Sequence, residues 1–125
     1  MKIGTRLRNK DKIQLYLIQL GDEAKKLAVG LNREAQKRGV NSLLSLGVPS
    51  LKMQMKKATD LNTRFVAVIG IMEAKNKVCQ LKDLVHGTQE EVPLAELIDT
   101  IVERLGTENL DFFHPIKDLI IENQL

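Results

Sequence analysis

The 125-residue chain has no tryptophan, one tyrosine and three phenylalanines, so aromatics make up only 3% of it. Its core must be aliphatic, and the stacking platforms that single-strand binders favour are mostly missing. One cysteine, Cys79, excludes an internal disulfide and suits a reducing compartment. Cys79 lies in a strand-like run without a second Cys or paired His nearby, so it reads as a small buried hydrophobe, not as a reactive thiol or a metal ligand. No segment approaches the ~18 apolar residues of a membrane span. The basic start is not followed by the apolar stretch that a signal peptide requires. A cytoplasmic location is the expectation.

Signatures of catalysis are equally thin. Neither GxGxxG nor GxxxxGK[ST] occurs. The first strand-to-helix turn has a single glycine, Gly21, followed by Asp22, so a phosphate there would meet negative charge. The two histidines, His86 and His114, have no partners at ligand spacing and read as surface or capping residues. There is no nucleophile elbow and no CxxC, and Ser42, Ser45 and Ser50 have no His or paired acid near them in sequence. No catalytic residue, metal or cofactor is expected.

What is present fits one soluble domain: 43% hydrophobic and 28% charged residues over a length that can bury its own core. The net charge of +3 permits an anionic partner without demanding one. The charge is uneven. Lys2, Arg6, Arg8, Lys10 and Lys12 crowd the start, and Lys52, Lys56 and Lys57 form a second cluster. The last twenty residues lean acidic.

Residues 1–12 lack apolar periodicity and read as a linker or arm. "IQLYLIQL" (13–20) is apolar on both alternating faces, which predicts a strand covered on both sides. Asp22 is placed to cap a helix with Ala24, Leu27, Ala28, Leu31 and Ala35 as its buried stripe, and Gly39 is placed to close it. "VNSLLSLG" (40–47) predicts a second strand. After Val48 and Pro49, Ser50 can cap a helix whose expected buried stripe is Leu51, Met55, Ala58 and Leu61. "RFVAVIGI" (64–71) is a third strand, followed by a polar connection over residues 73–77.

In "VCQLKDLVHGTQEEVPLAEL" (78–97) apolar and polar residues alternate around a turn at His86 and Gly87, which predicts an antiparallel hairpin with one wet face. Leu94, Leu97, Ile98, Ile101, Val102 and Leu105 then mark a helix, with Gly106 as its expected stop. The tail holds Leu110, Phe112, Phe113, Ile116, Leu119 and Ile120. Pro115 can open a short helix there, and packing back on the body is expected for so apolar a segment. Alternation of strand and helix implies parallel strands with right-handed crossovers. The predicted fold is α/β in three layers, with a mixed five-stranded sheet, a parallel centre and an antiparallel edge hairpin. The expected divisions are an arm over 1–12, the α/β domain over 13–106 and a helical extension over 107–125. Taken alone, Lys52, Lys56 and Lys57 could meet phosphates or simply keep a helix soluble. Glu73 could accept from a base amino group or be an ordinary loop acid.

The stretch "SLKMQMKKATDLNTRFVAVIG" (50–70) followed by "LKDLVHGTQEEVPLAEL" (81–97) resembles the anticodon-binding domain of class II aminoacyl-tRNA synthetases, of the histidyl type. That family combines a basic LKxQMKxAD helix, a strand ending in Gly, a strand ending in KDL, a Gly-x-Gln turn and VPLxEL. The resemblance covers about three-quarters of the chain and implies a domain that holds the anticodon stem-loop of a tRNA, the histidine tRNA, without performing aminoacylation. It implies that Glu73 accepts from a base, that Lys82 donates to a base or phosphate, and that Lys52, Lys56 and Lys57 neutralise backbone charge. The loop holding Val48 would also face the RNA.

This chain departs from the family pattern at three places. Val48 and Pro49 stand where Gly or polar residues are usual. Ile71 and Met72 replace an acidic pair. The tail is longer. These changes raise a second reading, a protein-interaction or dimerisation module derived from the same domain. The chain has no room for a catalytic domain, so a fragment of a class II ligase is expected in preference to a stand-alone relative. Its expected partners are the histidine tRNA, and either the catalytic domain of the same synthetase or a second protomer.

Overall fold

The structure, a computed structural model, describes residues 12–45, 47 and 50–112. β1 (Leu15–Gln19) is buried at all five positions, as its two-sided apolar pattern predicts. α1 (Asp22–Lys37) buries Ala24, Ala28 and Ala35 and turns Lys25, Lys26, Arg33 and Lys37 outward. Gly21, not Asp22, is its N-cap, with φ 96°. An aspartate would resist that positive φ, so Asp22 moves into the first turn, where its charge meets the positive helix end. At the other end Gly39 has φ 83°. Its N–H donates to Gln36 O and the Val40 N–H donates to Ala35 O, a Schellman closure.

Val40 is therefore used up in ending α1, and β2 (Ser42–Leu44) is shorter than the expected 40–47. Ser50 caps α2 (Leu51–Asp60), its Oγ accepting from the Met53 N–H at 2.9 Å. β3 (Phe65–Ile69) is fully buried. The expected polar connection is instead a short helix, α3 (Ile71–Asn76), which Lys77 ends in the left-handed region. β4 (Val78–Asp83) and β5 (Thr88–Pro93) form the hairpin. α4 (Leu94–Phe112) runs straight through Gly106, which does not adopt a positive φ and so does not stop the helix. An interior glycine costs about 1 kcal/mol, and the preceding turns, with Leu97 and Ile101 fully buried, offset it. The helix thus crosses the boundary expected between residues 106 and 107. The Pro115 helix and the packing of the tail lie outside the described residues.

The sheet order is β2-β1-β3-β4-β5. β1 pairs in parallel with β2 and β3, while β3–β4 and β4–β5 are antiparallel. The predicted mixed five-stranded α/β sheet is thus present. Its two faces are unequal. One carries the main core, in which Leu15, Leu17, Phe65, Ala67, Cys79 and Leu81 meet apolar residues of α1, α3 and α4. The other carries a small cluster of Tyr16, Ile18, Val66 and Val68 under Ala58 and Met55 of α2 alone.

Two buried polar joints tie these layers together. β2 stops pairing with β1 at Leu17, which leaves the Gln19 backbone without a strand on that side. The fully buried Gln54 of α2 takes its place. Its Oε1 accepts from the Gln19 N–H at 3.2 Å and its Nε2 donates to the Gln19 carbonyl at 3.0 Å. The Gln19 side chain in turn donates to Ser45 O at 2.7 Å.

The second joint is Asp83 at the end of β4. Its Oδ1 accepts from the backbone N–H groups of Val85 (3.0 Å) and His86 (2.9 Å) and from Arg64 Nη1. The His86 ring nitrogen Nδ1 lies 2.9 Å from Oδ2. Burial alone would raise the Asp83 pKa. The His86 backbone and ring, then Arg64, outweigh it and hold the carboxyl at about 2.

Replacing Gln54 with Leu should destabilise the fold by about 2–4 kcal/mol in urea unfolding, since it strands both Gln19 backbone groups in the interior. Asp83 contributes stability that is complete above its unfolded pKa near 3.9 and is lost as pH falls through about 2. Between pH 5 and pH 1.5 the wild type should lose about 2 kcal/mol through this group. Asp83→Asn should be less stable at pH 7 and should lose correspondingly less on acidification, as read from urea midpoints across that range.

Candidate functional site

β4 alternates strictly. Cys79, Leu81 and Asp83 are buried, while Val78, Gln80 and Lys82 are half-buried. Cross-strand partners share a face, and the register pairs Lys82 with Val66 and Gln89, and Gln80 with Val68 and Glu91. Val66 and Val68 belong to the small cluster under α2. Gln80, Lys82, Gln89 and Glu91 therefore lie on the α2 side of the sheet, beyond the reach of that one helix. On β5 every residue but Val92 is exposed. The polar groups on this face are loosely engaged. Gln80 Nε2 donates to Glu91 Oε1 and Gln89 Nε2 donates to Gln80 Oε1, both at 3.4 Å, near the weak limit of such bonds. Lys82 has no ion pair among the described residues.

α2 borders the same face. Lys52, Lys56 and Lys57 are all exposed on it, because Gln54 and Ala58 take its inner side. Lys56 pairs with Asp60 one turn on, at 3.0 Å. Such an exposed pair is weak, about 0.3–0.5 kcal/mol, and does not hold the ammonium away from another anion. The predicted cationic residues Lys52, Lys56, Lys57 and Lys82 thus share one side of the molecule. Val48 lies outside the described residues.

Glu73 is placed differently. It stands in the first turn of α3, not in a loop, and its Oε1 accepts from the Gly70 N–H at 3.0 Å. A Cβ on Gly70 would meet that oxygen at 2.5 Å, so the glycine makes room for the carboxylate. α3 packs on the opposite layer, with Ala74 in the main core. From Val78, just after α3, to Lys82 is about 13 Å along the strand. The acid and the amine expected to act together are not adjacent. Ile71 and Met72, beside Glu73, are 67% and 62% exposed.

Gln80, Gln89 and Glu91 were not among the residues predicted from sequence, although the spacing of Gln80 and Lys82 already places them on one face. Cys79 is fully buried. Burial, then the nearby Glu73, Glu90 and Glu91, push its thiol up to about 12. No metal-binding group of three or more His, Cys, Asp or Glu occurs among the described residues, and none of their helices is long and apolar enough to cross a membrane.

A mixed sheet with a parallel centre, an antiparallel edge hairpin and a lysine-bearing helix beside the hairpin's open face defines a class of small α/β domain. Residues 14–104 match the family described as anticodon binding domain, and the chain belongs to that family. Histidine–tRNA ligases are among its relatives. Over 100 residues it is 33% identical to the histidine–tRNA ligase of Natranaerobius thermophilus, a match covering 80% of this chain and 24% of the relative. The apo histidyl-tRNA synthetase of S. aureus superposes with a TM-score of 0.68 at 27% identity, covering 73% of this chain and 27% of that one. The histidyl-tRNA synthetase of Nostoc sp. gives 0.68 at 30% identity, covering 75% and 23%. The chain therefore spans about a quarter of the length of the relatives it matches.

Native protein treated with a maleimide at pH 8 should remain unmodified at Cys79, whereas the urea-unfolded chain should take up one equivalent. Rapid labelling of the native state would contradict the buried, high-pKa thiol.

Proposed function

We propose that this domain binds the anticodon stem-loop of a tRNA, the histidine tRNA, and contributes recognition to a histidine–tRNA ligase without performing the ligation. The observation that carries this reading is the shared side of Lys82, Gln80, Gln89 and the three α2 lysines. Lysines along α2 meet the RNA backbone, which positions it without reading sequence. The loosely bonded amides of Gln80 and Gln89 present donors and acceptors together, the chemistry that suits the exposed pairing edge of an unstacked loop base. Lys82 donates beside them. Glu73 lies in the opposite layer with Oε1 engaged by Gly70 and takes no part in this face. Membership of the anticodon-binding family supports the choice of RNA, and the histidyl relatives support the choice of tRNA.

A second reading, docking of the catalytic part of a synthetase or of a second protomer, is favoured by the exposed pair Ile71 and Met72. It is compatible with the first, because that pair lies at the α3 end and not on the lysine side. Light scattering on the chain tests the homodimer version directly, a monomer at all concentrations removing it.

Titration of the chain with a histidine-tRNA anticodon stem-loop at low salt should show binding. The log–log salt slope should be about −0.7 for each phosphate neutralised. Lys82→Ala should weaken binding by about tenfold, on the order of 1.4 kcal/mol. Lys52→Ala and Lys57→Ala should each lower the slope by about 0.7. A stem-loop with a changed anticodon should bind more weakly to the wild type. Absence of binding to either stem-loop would remove the proposal.

A further inference from the structure

The sheet's other pole, where β1 and β3 begin, holds a cavity of about 540 Å³. That volume lies within the range of small-ligand and side-chain pockets. It is lined by Ile13, Thr63, Arg64, Leu84, Val85 and Leu105, among others. Two properties separate it from an incidental surface dent. The first is apolar exposure: Val85 is 67% exposed and Leu84 36%, although both are large aliphatic residues on the short hairpin turn. The second is Thr63, which is 3% exposed while its Oγ1 has no hydrogen-bond partner among the described residues. A buried hydroxyl without a partner has lost its water without replacement, so a partner supplied at the pocket would relieve that penalty.

α4 leads the chain to this place. β5 runs toward the α3 end of the sheet, since Pro93 pairs with Val78, and α4 returns from there. From Leu94 to Leu105 it rises about 16 Å, close to the length of a six-residue strand, which brings Leu105 to the pocket wall. The helix continues to Phe112, about 10 Å further. Thirteen residues follow, with Phe113, Ile116, Leu119, Ile120 and Ile121 among them. An apolar segment tethered this close has a high effective concentration at the pocket.

We propose that the pocket is the docking site of the chain's own segment 113–125, whose apolar side chains cover Leu84 and Val85 and whose backbone or side-chain oxygen accepts from the Thr63 hydroxyl. The occupant is an apolar peptide carrying an acceptor. Its test reads contacts within the chain and uses no RNA, so this proposal stands or falls independently of the RNA reading.

The test is nuclear Overhauser spectroscopy on the full chain with labelled methyl groups. Contacts are expected between the methyls of Leu84, Val85 and Leu105 and side chains within 113–125. In a half-filtered experiment on a mixture of labelled and unlabelled chains, these contacts should vanish, because they arise within one molecule. Contacts seen only between chains would instead identify a second copy as the occupant and overturn the proposal, as would their complete absence. Val85→Asp, at an exposed position, should speed amide exchange of residues 116–121 by about tenfold and leave β3 unchanged. Unaltered exchange in that segment would also overturn it.

Discussion

Three helices cover one face of the sheet and one helix covers the other, and this inequality governs what each strand can be made of. Where both faces are covered, β1 and β3 are apolar at nearly every position, with no side for solvent. Where only the α1–α3–α4 layer reaches, β4 must alternate and β5 can expose almost everything. The half-wet hairpin is the point at which the second layer runs out. Polar groups that face outward there are held on a rigid ladder, and a rigid ladder is a better platform for recognition than a loop.

The inequality also explains why the structural polar residues sit where they do. α2 is a ten-residue helix docking alone, with little apolar area to hold it. Gln54 compensates by bonding both backbone groups of Gln19, which fixes α2 against β1 and thereby fixes its lysines relative to the hairpin. Asp83 does the same for the turn that joins β4 to β5, drawing in Arg64 from the start of β3. These two joints set the geometry between the lysine helix and the open face.

Much of this was legible in the sequence. Two-sided apolar runs marked β1 and β3, three-and-four spacing marked α1 and α4, and the alternation around Cys79 and Leu81 marked the hairpin. What escaped was what periodicity does not encode. α3 is six residues long and exposes Ile71 and Met72, so no buried stripe announces it. Its clue is Glu73 reaching back to Gly70, half of a capping box in which glycine stands where serine or threonine would be noticed. Gly106 looks like a helix end but lacks the left-handed conformation that would make it one.

Gln19, the partner of Gln54, lies 35 residues away and Arg64 lies 19 residues from Asp83, so neither link shows in the local sequence. At the candidate site, the common side of Lys82 and the α2 lysines follows from strand alternation and crossover handedness together. The separation of Glu73 from Lys82 depends on α3 packing into the opposite layer, which required the structure.

The central claim is that the face left open by the single helix α2 is the one that meets RNA. Amide chemical-shift mapping during addition of an anticodon stem-loop tests it most directly. The account predicts that the largest changes fall on Gln80, Lys82, Gln89 and the exposed side of α2. Changes confined to α1 and α4, on the covered face, would contradict it.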